Sequence, residues 1–203
     1  LGDVYKRQVL ELLNKTALEV CEGQQLDMEF ENALDVPLEK YLLMIRLKTA
    51  VLLACSLALG AIVSDAFESD IKQIYKFGIN LGLSFQIQDD YFDTFGDFET
   101  FGKKIGNDIV TNKKTFLLIS ALNLAKGNVK TRLEELFSNP TTDENAKISE
   151  VKIIFKELKV DHLALNKIKD YYQNAIKCLD KISNLEKKQL LYDFAEYIVK
   201  RKK

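Results

Sequence analysis

From Val9 to Phe30, apolar residues return at helical spacing (Leu10, Leu13, Ala17, Val20, Cys21), which predicts a long first helix. Asp35 stands as an N-cap candidate ahead of a second helix through Glu39 and Tyr41, with Pro37 in its opening turn. Thr49–Val63 (TAVLLACSLALGAIV) is nearly all apolar. It is shorter than the roughly 20 residues a bilayer span needs, and Arg46 and Lys48 stand at its head. It therefore reads as a helix buried on most sides of a bundle, not as a membrane segment. A third helix is expected from about Phe67 to Phe92, running into a Gly-punctuated loop over 94–106. Lys113 and Lys114 are expected to open the next helix, through Ala125, before a polar break at Gly127–Asn128. Ser138–Thr142 is the clearest linker. Beyond it, three amphipathic helices are expected at about Asp143–Leu158, His162–Ile182 and Leu185–Val199, with Asp143, Asp161 and Asn184 as N-cap candidates. No segment alternates with the period of a strand. The fold class expected is all-α, in one domain.

Composition narrows the function classes. Two prolines and nine glycines supply little of the turn chemistry a β-sandwich requires. With 29 basic and 30 acidic residues there is no general positive field, so nucleic acid is not an expected partner. Cys21, Cys55 and Cys178 are far apart and form no C-x-x-C pair, which argues against a disulfide framework or zinc cluster. They read as small core residues of a chain kept in a reducing, cytoplasmic setting. His162, beside Asp161, reads as a surface or capping residue. Residues 1–8 (LGDVYKRQ) open without Met and are expected to be read-through from a cloning or sequencing adapter, leaving 9–203 to carry the fold.

The segment richest in chemistry is Phe77–Asp93, FGINLGLSFQIQDDYFD. At about 100° per residue, Gly78, Gly82, Phe85, Gln86, Asp89 and Asp93 share one helical face. Each helical glycine costs roughly 1 kcal/mol relative to Ala, a cost best explained where a neighbouring backbone or a ligand comes close. Asp89 and Asp93, flanked by Asp90, put like charges within about 6 Å of one another. A hard divalent cation relieves that repulsion, and Mg²⁺ characteristically bridges one or two carboxylates to a phosphate. An acidic helix end in solvent is the plainer alternative for an isolated D-D-x-x-D.

Positive groups recur at matching places. Tyr41, Met44, Ile45, Lys48 and Leu52 share a stripe, so Lys48 lies on or beside an apolar face and needs an anionic partner. Thr49 adds a hydroxyl beside it. Gly102–Asp108 brackets Lys103 and Lys104 between glycines. Lysines 113 and 114 at a helix start oppose the helix dipole unless an anion is shared between them and the helix N–H groups.

Together these residues carry a resemblance. Gly23-Gln24-Gln25-Leu26-Asp27, Met44-Ile45-x-x-Lys48-Thr49, Phe77-Gly78-x-x-Leu81-Gly82-x-x-Phe85-Gln86-x-x-Asp89-Asp90-x-x-Asp93 and Gly102-Lys103…Gly106-x-Asp108-Ile109…Lys113 resemble, in order and spacing, the trans-isoprenyl diphosphate synthases. The resemblance implies an all-α isoprenoid-synthase bundle around a central cavity, paired as a homodimer. It implies a Mg²⁺-dependent prenyltransferase of isoprenoid biosynthesis, joining isopentenyl diphosphate to an allylic diphosphate to give a linear polyprenyl diphosphate. By the same resemblance Asp89, Asp90 and Asp93 are metal ligands, with Asp89 foremost, in a site holding three Mg²⁺. Lys48, Lys103 and Lys113 hold the allylic diphosphate. Thr49 and Gln86 line the path of the cation, Phe85 is expected with Leu81 and Tyr91 to shape an apolar channel for the growing chain, and Gln24 and Asp27 stand near the metal and lysine cluster. The basic end Lys200–Lys203 resembles a tail that closes over the site.

The departures matter equally. The family's first aspartate-rich motif, its following arginines and its isopentenyl diphosphate site have no counterpart here and are expected before Val9. Residues 1–203 by themselves are therefore expected to be inactive. Two alternatives stay open: a non-catalytic subunit of a heteromeric prenyl synthase, and a class I terpene cyclase.

Overall fold

The computed structural model describes residues 3–33, 35–96, 105–138, 143–182 and 188–200, and among them every regular element is helical. In chain order these are α1 (Asp3–Asn32), α2 (Leu38–Ile45), a π-helical turn (Arg46–Ala50), α3 (Val51–Val63) and α4 (Glu68–Phe95). They continue with α5 (Asn107–Val110), α6 (Phe116–Leu124), α7 (Gly127–Ser138), α8 (Glu144–Glu157), α9 (Val160–Asp180) and α10 (Lys188–Lys200). Residues 3–8 are continuous with the rest of α1. The chain divides into two compact units. The first comprises residues 1–28, 42–86 and 168–201, and the second comprises 29–41, 87–167 and 202–203.

The apolar run is longer than its sequence limits suggest. α2, the π turn and α3 join into one helix, Leu38–Val63, of 26 residues, whose most apolar 18-residue stretch has a mean hydropathy of 2.0. Length and composition alone would let it cross a membrane, which corrects the expectation based on Thr49–Val63; 44% of its most apolar stretch is buried. The π turn widens the helix where Arg46, Lys48 and Thr49 stand. Leu52 consequently leaves the stripe that a straight helix assigns it and is 52% exposed, while Val51, Ala54, Cys55 and Ala58 face inward.

The first unit's core gathers Ala61 of α3, Ile74, Phe77 and Leu81 of α4, Ala175 and Leu179 of α9, and Ala195 of α10. Gly78 and Gly82 let α4 approach its neighbour: a Cβ on Gly78 would lie 2.5 Å from Ala54 Cα, and one on Gly82 2.6 Å from Ala50 Cα. The close approach anticipated for these glycines is thus to backbone. In the second unit α8 is the hub, packing on α5, α6 and α7. Val151, Ile154 and Phe155 supply its buried stripe.

Caps decide several boundaries. Asp143 caps α8 by accepting from Ala146 N–H at 2.9 Å. Asp161 lies inside α9 instead of ahead of it, because Val160 is already helical. Asn184 falls outside the described residues. Thr115 caps α6 by accepting from Leu118 N–H, so Lys113 and Lys114 precede that helix and do not open it.

These contacts separate two chemically identical changes. Gly78→Ala forces a methyl group into backbone and should destabilise the protein by about 1–3 kcal/mol. Gly60→Ala, in the last turns of α3 with nothing within 4 Å of its Cβ position, should stabilise it by roughly 0.5–1 kcal/mol. Denaturant midpoints check both, and shifts of the same sign would contradict the packing described.

Candidate active site

In the first unit, the π turn presents Lys48 and Thr49. The Lys48 ammonium lies 2.5 Å from Asp27 Oδ2 of α1, the anionic partner that its place beside an apolar stripe demands. α1 comes this close because residue 23 is glycine: a Cβ there would sit 2.3 Å from Lys48 N. Thr49 Oγ1 donates to Gln86 Oε1 at 3.2 Å, so the Gln86 amide keeps its NH₂ end for another acceptor. Phe85 and Gln86 are half-buried near the middle of α4, and Gln24 is exposed on α1.

In the second unit, the three aspartates do three different things. Asp89 is half-buried. Asp90 is buried, and its Oδ2 accepts from the Tyr41 hydroxyl at 2.5 Å and from Phe116 N–H at 3.1 Å. Burial pushes its carboxyl up to about 6, against the opposing pull of Lys113 and the Tyr41 hydroxyl. Asp93 accepts from Asp108 N–H at 2.9 Å through Oδ2, and its backbone carbonyl accepts from Gly106 N–H at 2.7 Å. Burial and the nearby Asp108 carboxylate raise the Asp93 carboxyl. Lys113 lies 3.5 Å from Asp108 Oδ1. The anion at the start of α6 is therefore Asp90 itself, bonded to Phe116 N–H. Lys103 lies outside the described residues.

The donor set of this unit suits a hard cation. Asp89 and Asp93 stand one helical turn apart, and Asp93 and Asp108 repel each other. A divalent ion on carboxylate oxygens relieves that repulsion. Asp90 differs from its neighbours in that its Oδ2 already accepts two hydrogen bonds, from Tyr41 and Phe116. Among the described residues no three His, Cys, Asp or Glu side chains converge tightly enough to form a ready-made metal cage.

Motif spacing left two partners unassigned, Tyr41 and Asp108. Tyr41 could be recognised only as an apolar-stripe residue, since its link to Asp90 crosses 49 positions. Asp108 stands within a quoted motif, but nothing in the spacing ties its N–H to Asp93.

Comparison with known proteins decides the family. The sequence profile described as Polyprenyl synthetase matches residues 1–155. The chain belongs to the polyprenyl synthetase family. It is 39% identical, over 96% of its length, to a short chain isoprenyl diphosphate synthase of Methanocaldococcus jannaschii, and it spans 58% of that relative. It is 34% identical, over 97% of its length, to a geranylgeranyl diphosphate synthase of Sulfolobus acidocaldarius, spanning 59% of it. A crystal structure of a geranylgeranyl pyrophosphate synthase superposes on the whole chain with a TM-score of 0.92 and 40% identity, and 63% of that synthase is covered. The polyprenyl synthetase chain thus spans about three fifths of the relatives it matches.

The Asp90 carboxyl gives the site a pH signature. It releases its proton near 3.8 when unfolded but near 6 when folded, so between those values the folded state holds more protons. Stability should fall as pH rises from about 4 to about 6, by on the order of 3 kcal/mol. Asp90→Asn removes that contribution. Denaturation curves at several pH values should show the variant gaining on the unsubstituted protein across this window. Parallel curves would contradict the assignment.

Proposed function

We propose that this polyprenyl synthetase acts in the joining of isopentenyl diphosphate to an allylic diphosphate, giving a linear polyprenyl diphosphate with Mg²⁺ as cofactor. The observation that carries the reading is the pairing of every described lysine in the motifs with an aspartate: Lys48 with Asp27, and Lys113 with Asp108. Such pairs hold ammonium groups in place until a diphosphate takes them over. Family membership and the names of the relatives support the same reading.

The roles follow from side-chain chemistry. By the resemblance Asp89 and Asp93 hold Mg²⁺, and Lys48, Lys103 and Lys113 take the allylic diphosphate; Asp27 is the partner of Lys48, and Gln24 lies on the same helix as Asp27. When bound, Mg²⁺ neutralises charge that develops on the departing diphosphate. As the carbon–oxygen bond breaks, the lysine ammonium groups stabilise that same charge. Thr49 and Gln86 offer neutral dipoles, and Phe85 a π face, to an allylic cation that any nearby nucleophile would destroy. The isopentenyl double bond then forms the new carbon–carbon bond, and its proton leaves to the released pyrophosphate.

We also propose that the protein pairs with a second copy, for which the exposed Leu10, Leu13 and Leu18 of α1 and Leu52 of α3 offer apolar surface. We propose, too, that the helix Leu38–Val63 does not span a membrane. It supplies Lys48 to Asp27, and its Ala50 and Ala54 lie against Gly82 and Gly78.

Titration calorimetry with a non-ionisable allylic thiodiphosphate, with and without Mg²⁺, tests the reading. The protein should bind it only with the metal, and Asp89→Ala should weaken binding at least tenfold, about 1.4 kcal/mol, with no change in helix content. Absence of metal-dependent binding, or an unaffected Asp89→Ala variant, would overturn it. Turnover of labelled substrates by residues 1–203 themselves would contradict the expectation that further elements are required.

A further inference from the structure

Lys147 is a buried cation with no role in the chemistry above. It stands near the start of α8, 3% exposed, and no carboxylate among the described residues compensates it. Its ammonium donates to Asn112 Oδ1 at 2.5 Å and lies 4.9 Å above the centre of the Phe137 ring. Burying an ammonium in this way costs several kcal/mol that a Leu or Met at the same place would avoid. Its partner Asn112 has φ +58°, in the left-handed region.

Asn112 immediately precedes Lys113. The turn around them is closed by Lys113 N–H donating to Asp108 O at 2.9 Å and Thr115 N–H donating to Lys113 O at 3.0 Å. A left-handed residue at this point reverses the chain between α5 and α6. It thereby sets the direction in which Lys113 leaves the backbone, toward Asp108 at 3.5 Å. Asparagine tolerates this conformation better than most residues, but not without cost. Its backbone is held by its N–H donating to Ile109 O at 3.3 Å and by Lys114 Nζ donating to its carbonyl at 3.5 Å, and its side-chain oxygen is the handle by which Lys147 holds it.

We infer that Lys147 is a positioning residue for Lys113, holding Asn112 in its left-handed conformation so that the Lys113 ammonium stays beside Asp108. The purpose assigned to that arrangement, capture of a diphosphate by Lys113, rests on the function proposed above.

The test reads Lys113 directly, by its rate of acetylation in the folded protein, measured by peptide mass spectrometry. Lys147→Met should leave the denaturation midpoint unchanged or raised, yet speed acetylation of Lys113 about threefold as its ammonium loses Asp108. Lys147→Gln, which can still donate to Asn112, should keep the original rate. Asn112→Ala should speed the reaction as Lys147→Met does, and the double variant should react no faster than either single one. An unchanged rate in Lys147→Met, or Lys147→Gln behaving like Lys147→Met, overturns the assignment. In a separate arm, Mg²⁺ with pyrophosphate should protect Lys113 of the unsubstituted protein. Failure of that protection sinks the diphosphate reading while leaving the positional result standing.

Discussion

The second unit is organised around one buried carboxylate. Asp90 is removed from water, which alone would be costly for a charged group. Three groups offset that cost: the Tyr41 hydroxyl, the first N–H of α6 at Phe116, and the attraction of Lys113. They come from two stretches of chain, Tyr41 from one and residues 113–116 from the other, so satisfying Asp90 fixes where those stretches meet α4. Asp89 precedes Asp90 on α4, and Asp93 follows it one turn later. Seating Asp90 therefore decides how both of its neighbours are presented. Asp93 in turn anchors the segment before α5, through Gly106 N–H and Asp108 N–H.

The first unit meets a comparable demand by removing side chains. Gly23, Gly78 and Gly82 bring helix backbones together more closely than any Cβ permits. Two of these approaches fall on the π turn, Gly23 against Lys48 and Gly82 against Ala50, where the backbone is already widened to present Lys48 and Thr49. π turns recur at functional positions because the extra residue redirects a side chain without ending the helix. Here the redirected side chains are the ammonium that meets Asp27 and the hydroxyl that meets Gln86.

Much of this was legible in the sequence, for reasons that can be named. Helical periodicity and the scarcity of proline and glycine carried the all-α architecture. The position of Lys48 beside an apolar stripe demanded an anion, and Asp27 is there. The two α4 glycines demanded a close neighbour, and Ala50 and Ala54 are there. What stayed hidden depends on groups far apart in the chain. Periodicity treats Asp89, Asp90 and Asp93 as one acidic cluster, and only the structure shows that an oxygen of the middle member is already bonded to Tyr41 and Phe116. A wheel drawn at 100° per residue cannot foresee a π turn, so it misplaced Leu52. Lys147 follows the same logic. Its charge interrupts the stripe of α8, but its partner lies 35 positions earlier, in a turn that periodicity does not describe.

The division of roles proposed between the adjacent aspartates is tested most directly by a crystal structure with Mn²⁺ and pyrophosphate. Anomalous scattering should place an ion about 2.0–2.3 Å from an Asp89 oxygen, with Asp90 Oδ2 still bonded to Tyr41 and Phe116. An ion coordinated by Asp90, with those two hydrogen bonds broken, would contradict it.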